Sequence, residues 1–239
     1  MIRNLKTLGL ALVAGFALSA MVASAASAQG KFTSDGPVTW TATETGPAGS
    51  NAFTAFGATV ECAGTTYTGH AYNVTPHASL PSGVTTATLT PKYPKCVSKP
   101  SGRPTTVDMN GCDYVIHIGA TKDKANTYLL TFDVVCPAGK EVTVTFFTTD
   151  PDHVNGTPFC VWHIQPQTGL TGLHATDTKN GHIDITGAVE KVHITRVSPG
   201  DTHLLLCNSL TTTEGKIDID VTVKGHNQLG APTEISLSD

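Results

Sequence analysis

Charged residues make up only 14% of this 239-residue chain and aromatics 6%, and each shortage excludes a class. With a net charge of −4 and no cluster of Lys and Arg, the chain lacks the cationic surface that neutralises phosphates, which excludes nucleic acid as a partner. It lacks the Ala-, Glu-, Lys- and Leu-rich composition of a helical bundle or coiled coil. Beyond residue 28 no segment carries apolar residues at the helical period of about 3.6 with caps at both ends, and no apolar run there is long enough to span a membrane. Catalytic signatures are missing as well: there is no Gly-x-Ser-x-Gly, no Ser-x-x-Lys and no His-Glu-x-x-His. No Cys-x-x-Cys or paired-His spacing marks a metal site, so neither a metal nor a cofactor is expected.

What the chain has instead is Thr, Gly and Pro, at 38, 23 and 14 residues, and six cysteines. Thr and Val favour strands, while Gly and Pro favour turns. The first 28 residues read as an export signal: Arg3 and Lys6 give a positive start, Leu8 to Ala23 is almost uninterrupted apolar chain, and Ala26-Ser27-Ala28 suits cleavage after Ala28. Cleavage leaves 211 residues with 13 basic and 19 acidic side chains, a net charge of −6. A secreted or cell-envelope protein without a membrane span is therefore expected. An even number of cysteines in an exported chain reads as disulfides. Strands that follow one another in a meander bring successive cysteines together, which predicts Cys62–Cys96, Cys112–Cys136 and Cys160–Cys207.

Period-two alternation predicts strands almost everywhere. In 216–224, Ile217, Ile219, Val221 and Val223 share one face and the polar residues the other. Similar patterns place Val142, Val144 and Phe146, then Ile183 and Ile185, then Val192 and Ile194, on a buried face. Residues 113–118 and 128–135 are more apolar throughout. Weaker candidates are 38–44, 52–62 with Gly57 as a bulge, 66–72, 84–92, 105–109, 161–165, 170–176 and 204–207. Asn180-Gly181 is the strongest hairpin signal, because a type I′ turn needs positive φ at both central positions. Strands at short intervals without helices imply an all-β fold of antiparallel sandwich type, held by disulfides. Turn-rich residues 150–158 suggest a boundary between modules 29–150 and 151–239, with one continuous sandwich over 29–239 as the alternative.

Candidate sites are sparse. Asp150, Asp152 and Asn155 offer oxygen ligands to a cation, but Gly156 and Val161 stand where the helix-loop-helix calcium pattern does not want them. None of the ten histidines forms a His-x-x-x-His or His-x-His pair. His182 and Asp184 share a strand face on the solvent side, and His117 and His163 read as hydrogen-bonded histidines in apolar strands. Glu44, Glu61, Glu141, Glu190, Glu214 and Glu234 are the complete Glu set, mostly near strand ends. Asp218 and Asp220 lie about 6.6 Å apart on a wet face. Trp40 and Trp162 read as core, Trp162 sharing a face with Cys160, whereas Tyr67 and Tyr72 read as a surface patch. Asn73-Val74-Thr75 and Asn155-Gly156-Thr157 match the glycan acceptor triplet, which a Thr-rich chain produces often by chance.

The order Val60-Glu61-Cys62, Tyr93-Pro94-Lys95-Cys96, Asn110-Gly111-Cys112-Asp113-Tyr114, Val135-Cys136-Pro137-Ala138-Gly139-Lys140, and Cys160 to Gln167 followed by Cys207 resembles uncharacterised secreted proteins of actinobacteria. The resemblance implies an exported, disulfide-bonded β protein and carries no activity or functional residues with it. The expected function is a non-catalytic secreted β protein, either a cell-envelope component or an extracellular binding module, with cell-wall glycan or another surface protein as partner. The alternatives are an extracellular polysaccharide hydrolase, whose two carboxylates would converge from distant positions, and a protease inhibitor presenting Val97-Ser98-Lys99-Pro100-Ser101 as bait.

Overall fold

The computed structural model describes residues 30–34, 38–71, 83–124, 126–148, 156–199, 207–227 and 229–238. Residues 1–28, expected to be an export signal, Tyr72, the Asn73 triplet, the cation candidates Asp150, Asp152 and Asn155, and residues 204–206 of one weak strand candidate lie outside them. Among the described residues every regular element is a strand.

β1 (Lys31–Ser34) precedes eight long staves. The first is β2 (Thr39–Glu44) with β3 (Asn51–Ala55), the second β4 (Ala58–Cys62) with β5 (Thr66–Ala71), and the third β6 (Thr86–Lys92) with β7 (Cys96–Lys99). The fourth is β8 (Arg103–Asp108) with β9 (Asp113–Lys124), the fifth β10 (Thr127–Val135) with β11 (Val142–Phe147), and the sixth β12 (Pro158–Ile164) with β13 (Gln167–Asp177). β14 (His182–Val197) and β15 (Leu210–His226) are unbroken; β16 (Pro232–Thr233) and β17 (Ile235–Ser238) follow. Each stave pairs antiparallel with the next in sequence, and the eighth returns to the first through β15–β2 and β15–β3.

The hydrogen bonding thus closes on itself as an eight-stave up-and-down sheet, which leaves no unpaired edge among the staves. The two layers of the expected sandwich are opposite walls of this one sheet. β10 pairs with β13 and β11 with β12, so the staves before and after residues 150–158 are neighbours. Residues from both sides of that segment also share one apolar cluster.

Alternation explains which residues fill the inside. Ile217, Ile219, Val221 and Val223 are buried, as are Val142, Val144, Phe146, Ile183, Ile185, Val192 and Ile194. Outward positions of β2, β5 and β6 include Thr39, Thr43, Thr66, Thr68 and Thr90, all exposed. An apolar lumen with hydroxyls outside suits water, whereas a membrane barrel presents its apolar face outward.

Six staves break near their middle, and the first five breaks each hold left-handed backbone, at Gly49, Gly64, Lys95, Asn110 with Gly111, and Gly139. These breaks form a waist. There Glu44 joins two staves, its carboxylate accepting from the Gly49 N–H (3.2 Å), the Ser50 hydroxyl (3.3 Å) and the Gly64 N–H (2.8 Å). Partial burial pushes the Glu44 carboxyl up, but the bonds from Gly64, Asn51, Gly49 and Ser50 together hold it below its ordinary value. Disulfides Cys62–Cys96 and Cys112–Cys136 cross-link neighbouring staves at the same level, and Cys160–Cys207 ties the residues before β15 to β12.

Two turn expectations are corrected. Gly57 is not a bulge: Phe56-Gly57 is a two-residue hairpin turn between the Ala55–Ala58 pair, with φ of 51° and 75°. That is the type I′ requirement, met here rather than at Asn180-Gly181. In the β13–β14 turn Lys179 and Gly181 take positive φ and Asn180 does not, because the turn is longer: the Thr178 hydroxyl bonds the His182 carbonyl at 2.8 Å.

Candidate functional site

The two ends of the barrel differ. At one end β1 and β17 pair antiparallel and lie over the opening, with Phe32 packed edge-on to Trp40 at 4.8 Å. At the other, the Phe56-Gly57 turn, the Lys99–Gly102 turn and the ends of β12 and β14 surround a hollow of ≈ 250 Å³.

Strand alternation builds this hollow. Ser98 pairs with Arg103 and is buried, so Arg103 faces inward at the start of β8. Arg196 pairs with buried Trp162 and faces inward at the end of β14. The floor is aromatic: Phe146 and Trp162 rings lie 4.7 Å apart, and Phe56 meets Trp162 at 5.8 Å. The β11–β12 register slips between Phe146–Cys160 and Phe147–Pro158, leaving Phe159 without a partner. It turns in beside Cys160, as a bulge permits, and both are buried.

Each arginine is stacked. The Arg103 guanidinium carbon lies 4.8 Å from the Phe159 ring centre and that of Arg196 4.7 Å from Phe56. Arg196 donates Nε–H to the Asn208 carbonyl at 3.0 Å and Nη2–H to the Asn208 side-chain oxygen. Among the described residues no carboxylate lies within ion-pair distance of either guanidinium; Lys99, which also lines the hollow, makes an exposed contact with Glu61 at 3.9 Å. Phe56 is a bulky residue held left-handed where Asn or Gly is preferred. Such backbone costs about 1–3 kcal/mol and persists where the surroundings demand it.

Other expected sites disperse. Asp184 accepts the Thr222 hydroxyl at 2.6 Å, rather than pairing with His182. Asp218 is bonded by the Lys216 ammonium at 2.7 Å. His117 and His163 do find carboxylates, but on the outward side of the sheet: His117 Nε2 meets Asp133 at 2.8 Å and His163 Nδ1 meets Glu141 at 2.5 Å. Asp133 is also held by the Gly169 N–H at 2.7 Å, so these are cross-stave ties. Among the described residues no three His, Cys, Asp or Glu side chains gather as a metal site. The proposed bait segment is a tight turn, closed by Gly102 N–H to the Ser98 carbonyl at 2.7 Å and by a Ser98–Ser101 hydroxyl pair at 2.7 Å. It forms one wall of the hollow.

Tyr67 is corrected from surface to core. Thr66 and Thr68 take the outward positions, so Tyr67 points inward, 1% exposed. Its hydroxyl donates to Asn51 Oδ1 at 3.0 Å, and the Tyr93 hydroxyl donates to that of Tyr114 at 3.0 Å. Burial, above all, raises all three phenols above their ordinary value.

The residues that sequence reasoning missed are Arg103 and Arg196. After residue 28 they are the only arginines, against eleven lysines. Among the described residues Lys serves the water-facing positions, and Arg occurs only where a charge stacks on a ring. That asymmetry is visible in the sequence; the convergence of the two positions is not. Comparison with protein families, with characterised proteins and with solved structures finds no match for the chain.

Proposed function

We propose that the protein is a secreted, non-catalytic binding module of the extracellular space or cell envelope, kin to exported actinobacterial proteins, with the hollow at the Phe56 end of the barrel as its ligand seat. The observation that carries this reading is the meeting of both arginines of the mature chain over aromatic rings in one concavity. A guanidinium drawn into an apolar mouth loses hydration, and a bound partner of opposite charge restores it. Three disulfides suit an oxidising compartment, and the hydroxyl-rich exterior suits water.

The hydrolase reading has one supporting observation. Near β17, Asp177 and Glu234 line a common hollow with Lys179 and Ser236. Yet both Asp177 carboxylate oxygens accept backbone N–H groups, from Lys179 at 2.8 Å and Leu237 at 3.0 Å. That carboxylate is engaged in holding the turn and the last strand, which favours binding over acid–base catalysis.

Mature protein incubated with cell-wall preparations and envelope extracts separates the readings. Retention without product, lost in Arg103→Gln and Arg196→Gln, is the expected result. Release of glycan fragments that stops in Glu234→Gln would establish the hydrolase instead.

A further inference from the structure

We infer that the hollow takes a single-ring aromatic carboxylate, held by its ring among the aromatic walls and by its charge between Arg103 and Arg196; this rests on the binding-module reading above. Size sets the first bound. A cavity of about 150 Å³ accommodates benzene, and drug-sized ligands occupy about 300–1,000 Å³, so ≈ 250 Å³ corresponds to one ring with a small substituent.

Wall chemistry sets the second. The chain has seven phenylalanines and two tryptophans after residue 28, and four of these nine rings, Phe56, Phe146, Phe159 and Trp162, line this one hollow. Trp162 is 2% exposed and flanked by Phe56 and Phe146, so it offers no open platform for a pyranose. Rings that meet one another at steep angles instead leave edges and faces for a further ring.

Charge sets the third. Arg103, Arg196 and Lys99 line the hollow, and Glu61 is bound to Lys99 at its rim. The mature chain is acidic overall, so this concentration of cations is local. Asn208 takes two of the five N–H donors of Arg196. Planar guanidinium groups match a carboxylate's two oxygens better than an ammonium does. Phe56 supplies the ring under Arg196 from a left-handed turn position, where Asn would be the relaxed choice; the ring is placed there against local backbone preference.

The test uses the whole mature, oxidised protein in titration calorimetry with benzoate, benzamide, acetate and phenyl phosphate. Benzoate is expected to saturate one site and to bind at least tenfold tighter than neutral benzamide, with acetate too small to bind measurably. Arg103→Gln and Arg196→Gln should each weaken benzoate at least tenfold while keeping the wild-type circular dichroism spectrum and three disulfides. Equal binding of benzoate and benzamide, or an unchanged affinity in both variants, overturns the proposal. Tighter binding of phenyl phosphate than benzoate overturns the carboxylate assignment in favour of phosphate. If no probe binds but arginine-dependent retention on envelope material persists, the ligand class is wrong and the binding reading stands; if both are absent, both fall.

Discussion

The Arg196 guanidinium lies 4.7 Å from the centre of the Phe56 ring, and Phe56 holds that position with φ at 51° in a type I′ turn. Two effects therefore oppose each other at one residue. Phe56→Asn relieves the left-handed strain, worth about 1–2 kcal/mol for a non-Gly residue, but removes a half-buried ring. The expected net change in unfolding free energy is within about 1 kcal/mol, far below the about 3–5 kcal/mol of a core Phe→Ala change. Phe56→Ala removes the same ring without supplying a residue suited to the turn, so it should be less stable than Phe56→Asn by about 1 kcal/mol. Urea denaturation of the three proteins checks this; equal stability of the Asn and Ala variants would show that the turn stores no strain.

Burial raises the phenol pKa values of Tyr67, Tyr93 and Tyr114, which makes an alkaline limit for the fold. The unfolded chain releases these protons near pH 10, whereas the folded chain retains them, so the unfolded state binds fewer protons above that pH. Stability is unaffected below pH 10 and should fall above it by up to about 1.4 kcal/mol per pH unit for each of the three. Tyrosinate absorbance is expected to rise for these residues only together with loss of the folded circular dichroism signal. Full ionisation of all five tyrosines before any unfolding would contradict it.

The strand positions were legible because alternation is local: Ile217 and Asp218 cannot share a face whatever surrounds them. Successive cysteines were legible for a related reason, since a meander places consecutive staves side by side. Closure of the sheet was not. It depends on β15 meeting β2 and β3, more than 150 residues away in the chain, and each of those strands reads equally well as a sandwich strand. The type I′ turn was sought at Asn180-Gly181 by its residues, while the structure places one at Phe56-Gly57, where residue preference points the other way. The arginines escaped notice because their convergence arises only once β8 and β14 stand around the same lumen.

Glu44 should matter most at neutral pH. Its folded-state pKa is depressed, so its contribution is present above the ordinary carboxyl range and is lost as pH falls through the lower folded value. Donors from Gly64, Asn51, Gly49 and Ser50 satisfy one charge, but the group is partly exposed and screened, which limits the effect of Glu44→Gln to about 1 kcal/mol at pH 7. The difference from wild type should shrink progressively below pH 4 as both carry a neutral side chain. A penalty that stays constant from pH 7 to pH 3 would assign the effect to packing instead of charge.

Disulfides at the waist and at the ligand end should differ in what they control. Replacing Cys112 and Cys136 by Ala removes a cross-link between staves four and five and should cost about 2–4 kcal/mol, the range for native disulfides. Replacing Cys160 and Cys207 should cost a comparable amount, but Cys207 is followed directly by Asn208, whose carbonyl and side chain hold Arg196. Once Cys207 is untied from β12, Asn208 loses its anchor and the Arg196 side chain its fixed orientation. Benzoate affinity should therefore fall several-fold in the Cys160/Cys207 variant and stay at the wild-type value in the Cys112/Cys136 variant, at a temperature where both are folded. Parallel calorimetric titrations and urea curves on the two variants decide the matter: equal loss of affinity in both would mean that the site responds to global stability, with no particular dependence on the rim disulfide.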